Sequence, residues 1–513
     1  MSMGRDVAAR ARSLLAEIDA LRAEVSREGR RLAAGWRPRL ARDAFAGSVL
    51  NLAHYLVLRR HDLRPLQRRL MTLGLSSLGR LEGRVPAPLD AVAAPLAALA
   101  GEPAGARRHP SERQFFRGEA RLARNAAGLF GPPPRGRPGR IMVTLGSEAA
   151  GDPALVRGFV AVGADAFRIN CAHDGPAEWE AMVANVRAAG AAIGRHLPIL
   201  MDIGGPKVRI GAVAMPAGTK RVHAGDSILL CRALGGDAPE AEVAITCSMP
   251  EILDRIAVGD TVSLDDGKLS GRIVGAADGG YVIRLEHGRL DGIRLKPEKG
   301  LNFPATDLGL DPLTAKDRAD LDFIVGHADL IGHSFVQTAG HVAALQAELA
   351  ARTPDWRRLG LVGKIETPRA VRNLPEIIVQ AAGQQPFAVM IARGDLAVEM
   401  GFARVAEMQE EMLWLCEAAQ VPVIWATQVL ETLVKEGLPS RGEMTDAAMA
   451  ARAECVLLNK GPNVGGAVEI LDRLLHRMGG HQLKKTPTLR ALLSWAGATD
   501  GAGWRPLFFH VGG

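Results

Sequence analysis

From Arg140 onward, short apolar runs alternate with longer stretches whose apolar residues recur at helical spacing. The runs are RIMVTLGS (140–147), ADAFRINC (164–171), PILMDI (198–203), ADLIGHSF (328–335), RLGLVGKIE (358–366), FAVMIARGDL (387–396), PVIWATQ (422–428) and AECVLLNK (453–460). Continuous apolar runs of this length read as buried strands. Between them lie amphipathic segments such as DPALVRGFVAVG, AEWEAMVANVRAAGAAI and ARVAEMQEEMLWLCEAA. Eight strand–helix units of mostly even length predict an α/β fold, a (β/α)8 TIM barrel rather than an open sheet.

One gap breaks the rhythm: about 125 residues separate the third and fourth strands. Its middle (RVHAGDSILL, DTVSLDDGKLSGRIVG, GGYVIRLEHGRL) is rich in Gly and turns, with short alternating segments. That pattern predicts an inserted all-β domain. It enters where strand three ends, the active face of such a barrel, and is expected to act as a lid. Before the barrel, RSLLAEIDALRAEV and SVLNLAHYLVLRRHDLRPLQRRLMTLG have helical periodicity, the second interrupted at Pro65. GPPPRGRPGR (131–140) reads as a linker. The expected division is a helical N-terminal domain (1–138), a barrel in two segments (139–211 and 298–480), a β lid (212–297) and a tail (481–513).

Composition narrows the class. The chain has 513 residues, 47% of them apolar, enough for several packed domains. AVAAPLAALA (91–100) is too short to span a bilayer and contains Pro95, so no membrane partner is expected. The N-terminus lacks a signal h-region, and Asp6, Glu17 and Asp19 argue against a transit peptide. The five cysteines form no CxxC, which predicts reduced thiols and a cytoplasmic protein without zinc or disulfides. Residues 1–140 hold 26 Arg, no Lys and 12 acids, a net of +14; the whole chain carries +7, so the remainder is −7. Nucleic acid is not the expected partner, because the arginines alternate with apolar helical positions and no aromatic–basic platform appears. A solvated helical face, or docking on the acidic remainder, accounts for them.

Candidate chemistry gathers at the strand ends. Strand two ends in Arg168 and Asn170, strand three in Asp202, strand five in Lys364 and Glu366, strand six in Arg393-Gly394-Asp395, and strand seven in Thr427. Alternation along a strand puts 168 with 170, 364 with 366 and 393 with 395 on one face. Singly, each has a structural reading: Arg168 in an ion pair, Asp202 as a turn cap, Lys364 and Glu366 neutralising one another. Together on one rim they suggest a site. Glu366 and Asp395 can hold Mg2+ or Mn2+ through oxygen, leaving positions open for substrate. Arg168 and Lys364 supply positive charge for a phosphoryl group in transit. Gly394 leaves backbone N–H groups open to a carboxylate, and Thr427 offers a hydroxyl.

The segments RINCAH, MDIGGPKVRIG, SLDDG, KGLNFP, GKIET, IARGDLA, IWATQVLE and SRGEMTD resemble, in order, the successive motifs of the pyruvate kinase family, over roughly 140–478. The resemblance implies transfer of phosphate from phosphoenolpyruvate to ADP in glycolysis, with Mg2+ (or Mn2+) and usually K+. It implies that Glu366 and Asp395 hold the metal. Lys364 and Arg168 meet the phosphoryl group, and Arg393 joins them. Gly394, Asp395 and Thr427 hold the carboxylate end of the substrate, with Thr427 near the protonation step. Asn170, His173 and Arg209 lie on the nucleotide side, and Asp266 closes from the lid.

The sequence also departs from the family. Where members that need K+ read N-F-S-H, this chain has Asn170-Cys171-Ala172-His173; where they read D-T-K-G-P-E, it has Asp202-Ile203-Gly204-Gly205-Pro206-Lys207. Oxygen ligands are lost and an ammonium gained, so Lys207 is expected to substitute for K+, which should not be required. A surface lysine in a turn is the structural alternative. The usual G-E-T-A is Lys460-Gly461-Pro462-Asn463, and 33 residues follow Gly480 where the family carries a C-terminal domain with effector sites and a subunit interface. Such effector control is not expected; the N-terminal helices are the candidate replacement for the subunit interface of a possible homo-oligomer, whose state the sequence does not give. The alternatives are a non-catalytic phosphoenolpyruvate- or nucleotide-binding regulator, or a Mg2+-dependent lyase acting on pyruvate or phosphoenolpyruvate.

Overall fold

The computed structural model describes residues 2–487 except 219, 235–242, 278 and 305, so the expected tail from 488 lies outside the described residues. All eight anticipated barrel strands form: β1 (Arg140–Thr144), β2 (Ala166–Asn170), β3 (Ile199–Asp202), β4 (Leu330–His333), β5 (Gly360–Ile365), β6 (Phe387–Ala392), β7 (Val423–Ala426) and β8 (Cys455–Leu458). Each is parallel to its neighbours in chain order, and β8 closes on β1. Every residue of these strands is buried except Asn170 and Lys364, both rim positions named above. Inside the barrel, Met142, Ala166, Leu200, Leu330, Val362 and Ala388 meet Leu129 and Phe130 from the helix Arg117–Phe130. Leu129 lies so close to Gly360, the first residue of β5, that a Cβ there would stand 2.8 Å from its side chain. The helix end therefore stoppers the base of the barrel.

Strand six differs from expectation. β6 stops at Ala392, and Arg393–Met400 is an α-helix. Residues 393 and 395 therefore do not share a strand face. The hydroxyl of Thr427 accepts the Gly394 N–H at 2.7 Å, which satisfies one of the unpaired donors of the helix's first turn. Leu396 and Ala397 are buried on its inner side.

The inserted segment folds as a seven-stranded, largely antiparallel sheet with its own apolar cluster around Ile228, Ile245, Leu264 and Ile283. The outgoing and returning chains run together: Arg209 bridges Gly300, and Ile210 N–H donates to Lys299 O at 2.7 Å. The turn Asp265–Gly267 leans over the helix Arg393–Met400, where a Cβ on Gly267 would lie 3.4 Å from Val398.

The N-terminal domain is helical as expected. A 35-residue helix, Ser2–Trp36, buries Leu14, Ile18, Leu21 and Val25 against Asp43–Leu58 and Pro86–Ala100. Pro65 starts a new helix, Arg64–Met71, in whose first turn its missing N–H costs nothing. The domain grips the barrel: Trp36 Nε1 donates to Glu376 at 2.8 Å, Asn51 to Ala418 O at 2.8 Å, and Arg42 to the carbonyls of Ala382 and Gln385 at 3.0 and 2.7 Å. The segment 131–140 is no solvated tether. Arg137 is buried and donates to Asp165 at 2.7 Å, Asp472 at 2.6 Å, and the carbonyls of Gly139 and Gly163 at 2.5 and 2.6 Å. Among the described residues, no helix is long and apolar enough to cross a membrane.

Candidate active site

Register sets the rim. Asn170 and Gly332 stand level with Asp202 on either side of β3. Asp202 is fully buried, and its carboxylate occupies the space a side chain at 332 would need: a Cβ there would sit 2.1 Å from Oδ1. Arg168 clamps Oδ2 with Nε and Nη2 at 2.8 and 2.7 Å. Oδ1 has no hydrogen-bond partner, and such an acceptor inside a protein calls for an explanation.

Lys364 stands next to this carboxylate. Its Nζ donates to Ser334 Oγ at 2.7 Å and lies 3.2 Å from Glu366 Oε1 and 3.6 Å from Asp202 Oδ2. Glu366 is buried, and its other oxygen accepts the Phe335 N–H at 2.6 Å. Burial pushes its carboxyl upward and the charge of Asp395 adds to this; Lys364 and the Phe335 N–H pull the other way without reversing the direction. Glu366 and Asp395 lie close enough for the charge of one to act on the other, and a divalent cation held by both would relieve it. Among the described residues, no three His, Cys, Asp or Glu converge as a complete cage. Two carboxylates could hold a divalent metal only with substrate oxygens or water in its remaining positions.

Lys207 takes an unexpected partner. Its Nζ donates to Asp395 Oδ1 at 2.6 Å, lies 3.7 Å from Asp266 and sits over the Phe335 ring. Burial disfavours its charge, but Asp395, Asp266 and Glu366 outweigh that and raise its pKa, so it is an ammonium. The ammonium on the Asn170–His173 loop belongs instead to Lys316, which donates to Cys171 O at 2.8 Å.

Thr427 has φ +62°, rare for a β-branched residue, and Gln428 and Leu430 share the left-handed region. Such strain clusters where function demands it. Its hydroxyl already holds the Gly394 N–H, so that N–H is not open as expected. Arg393 is not brought to the cluster either. Its guanidinium spends both Nη on Asp446, donates to Ala426 O and Thr427 O at 3.2 and 2.6 Å, and covers the Trp425 ring.

The remaining residues line the outer rim. Asn170 accepts the Ala172 N–H at 3.2 Å, shaping the loop that carries His173. Burial, then Lys460, Arg209 and Arg168, holds the His173 pKa below its usual value, which marks a cationic neighbourhood. Arg209 donates to Glu298 O at 2.8 Å across the two chains that join lid to barrel. Asp266, largely exposed on the lid, faces Lys207. Sequence reasoning gave no role to Ser334, Asp446 or Glu399. Glu399 accepts from Asn302 at 2.8 Å, and burial lifts it to about 7. Ser334 and Asp446 were within reach, the first at the end of the fourth apolar run and the second closing the segment SRGEMTD; Glu399 carries no local signal.

This geometry has close counterparts. The family model "Pyruvate kinase, barrel domain" matches residues 137–466. A pyruvate kinase of Agrobacterium vitis is 33% identical over 67% of this chain and 69% of its own. One of Mycobacterium intracellulare is 30% identical over 71% and 76%. Among solved structures, a pyruvate kinase of Cryptosporidium parvum superposes with a TM-score of 0.59 at 26% identity, covering 69% of this chain and 72% of that one. With the closed barrel, the inserted sheet after β3 and a match over most of its length, the chain belongs to the pyruvate kinase family.

Proposed function

We propose that this enzyme moves the phosphoryl group of phosphoenolpyruvate to ADP, giving pyruvate and ATP at the ATP-forming end of glycolysis in the cytoplasm. The observation that carries the reading is the constellation of partly buried Lys364 with buried Arg168, Glu366 and Asp202 on one rim. In the reaction the enol-ester P–O bond breaks, an ADP oxygen bonds to phosphorus, and the enolate left behind takes a proton at carbon. Lys364 offers one ammonium to both the phosphoryl oxygens and the enolate oxygen, where negative charge grows. Arg168, fixed by Asp202, offers its guanidinium to the phosphoryl group. With the Gly394 N–H held by Thr427, the first turn of the helix Arg393–Met400 offers its remaining N–H groups, that of Asp395 among them, to the substrate carboxylate. Thr427 borders the same end, held by Arg393, which acts as a positioning residue. Mg2+ or Mn2+, held by Glu366 and Asp395, would neutralise phosphoryl-oxygen charge when bound. Asn170, His173 and Arg209 border the nucleotide phosphates, and the lid brings Asp266 over the cleft. The five thiols are free and buried, which supports a reducing compartment.

The test is ADP-dependent pyruvate formation from phosphoenolpyruvate. Complete absence of it with metal binding intact would favour the non-catalytic regulator. Gly332→Ala probes the rim: its methyl would displace the Asp202 carboxylate and with it Arg168. Since misplacement by about 1 Å can cost 10²-fold, kcat/KM is expected to drop by about that factor. Unchanged kinetics would remove Asp202 from the mechanism.

We also propose that K+ is not required. Lys207 beside Asp395 and Lys316 on the Cys171 carbonyl are two fixed positive charges near the loops that hold K+ elsewhere in the family. In tetramethylammonium buffer, adding K+ is expected to change kcat/KM by less than about twofold, a difference of under 0.5 kcal/mol. Stimulation by an order of magnitude would sink the idea.

A further inference from the structure

The chain leaves β7 through a strained turn: Thr427, Gln428 and Leu430 have φ of +62°, +54° and +49°. A β-branched residue in this region clashes with its own backbone, and the conformation persists only where the surroundings over-determine it. At Thr427 two consecutive residues after β6 do so. Arg393 Nε donates to Ala426 O at 3.2 Å, and its Nη2 to Thr427 O at 2.6 Å. These two carbonyls belong to the peptide planes on either side of the Thr427 Cα, and the angle between those planes is what φ and ψ measure. One guanidinium therefore sets both dihedrals. The Gly394 N–H then fixes the side chain, donating to Oγ1 at 2.7 Å.

The position of Arg393 is itself set from elsewhere. The residue is buried, and both Nη donate to the Asp446 carboxylate, Nη2 to Oδ2 at 2.8 Å. Among the described residues no other acid pairs with it. A bidentate pair of this kind fixes the plane of the guanidinium as well as its place. The opposite constraint is the Trp425 ring, whose centroid lies 4.7 Å from Cζ. Asp446 stands on the helix Arg441–Ala450, which a capping box between Ser440 and Glu443 anchors at its start. A chain of contacts thus runs from Asp446 through Arg393 to Thr427. At its end the Thr427 oxygen accepts from Gly394, and the hydroxyl proton has no acceptor among the described residues. That proton is free for an acceptor in the cleft.

We propose that Asp446 is a positioning residue for phosphotransfer: through Arg393 it holds the strained backbone of Thr427 and aims the Thr427 hydroxyl at the carboxylate end of the substrate. The inference rests on the phosphotransfer reading of the cleft. Asp446 itself touches no substrate. The plainer role for the same ion pair is to tie the helix Arg441–Ala450 to the barrel. The two roles differ in one respect. A tie matters whatever side chain stands at 427, whereas a positioning residue matters only while the Thr427 hydroxyl is there to be placed.

A double-mutant cycle separates them. Asp446→Asn keeps the size of the side chain but removes its charge and one acceptor oxygen. It is expected to lower kcat/KM for pyruvate formation from phosphoenolpyruvate and ADP by about 10²-fold, the scale for misplacing a reacting group by about 1 Å, and Thr427→Ala by about as much. The double variant is expected to match Thr427→Ala within about threefold, because residues that act as one unit are not additive. Effects that multiply to about 10⁴-fold would overturn the proposal in favour of the tie. Arg393→Lys keeps the positive charge but lacks the fork that spans Asp446 and both carbonyls, so it is expected to show the same loss and the same non-additivity. It decides the matter should Asp446→Asn not fold. Mn2+ affinity, read by electron paramagnetic resonance, is expected to stay within about twofold of wild type; a drop of about tenfold would place the effect at Asp395 and overturn the proposal. A wild type that forms no pyruvate removes the phosphotransfer reading and this inference with it. An active wild type beside an unimpaired Asp446→Asn removes this inference alone.

Discussion

Lys364→Met is expected to lower kcat for pyruvate formation by about 10³-fold, the scale for losing one preorganised charge at a developing anion. Methionine matches most of the lysine stem, so packing is kept and the loss is electrostatic. The ammonium has three neighbours in the free enzyme: the Ser334 hydroxyl, Glu366 and Asp202. Taking it away removes the foremost influence holding the buried Glu366 carboxyl down, so that group's pKa rises further. A metal ligand must be ionised to bind, so the acidic limb of the pH–rate profile is expected to move to higher pH, and Mn2+ affinity to weaken most at low pH. If Glu366 is no metal ligand, both pH effects will be absent. Activity within about tenfold of wild type would remove Lys364 from the chemistry.

The same neighbourhood shows what the sequence makes legible. Strand positions follow from unbroken apolar runs, and the residues that end them, Arg168, Asp202, Lys364 and Glu366, lie together because parallel strands in register bring their ends to one rim. What stayed hidden depends on partners far away in the chain. β6 yields to a helix at Arg393 because Thr427, 33 residues on, takes the Gly394 N–H. Lys207 chooses Asp395, 188 residues away, and no local pattern distinguishes that carboxylate from Asp202, five residues before Lys207. Arg393 reads as catalytic because strand alternation would put it on one face with Asp395; its partner, Asp446, lies on a helix 53 residues later.

Arg137 shows the same limit outside the site, and its replacement should have the largest effect on stability. Its surroundings, GPPPRGRPGR, read as a tether, yet its guanidinium is sealed between Asp165, Asp472 and the carbonyls of Gly139 and Gly163. Asp165 is buried as well and also accepts the Ile141 N–H at 2.9 Å, so it anchors the first residues of β1. Arg137→Ala strands that carboxylate, with only the half-exposed Arg195 left to pair it. Breaking a buried pair from one side costs about 3–5 kcal/mol, which should appear as an earlier urea transition. The neighbouring exposed Arg135→Ala should cost less than about 0.5 kcal/mol. Adding Asp165→Asn to Arg137→Ala separates charge from packing: the amide oxygen can still accept the Ile141 N–H, but no buried charge remains. If the stranded carboxylate is the cause, the double variant should be more stable than Arg137→Ala alone. If it is no more stable, the four donor contacts of Arg137 themselves hold the junction between the helical domain and the barrel.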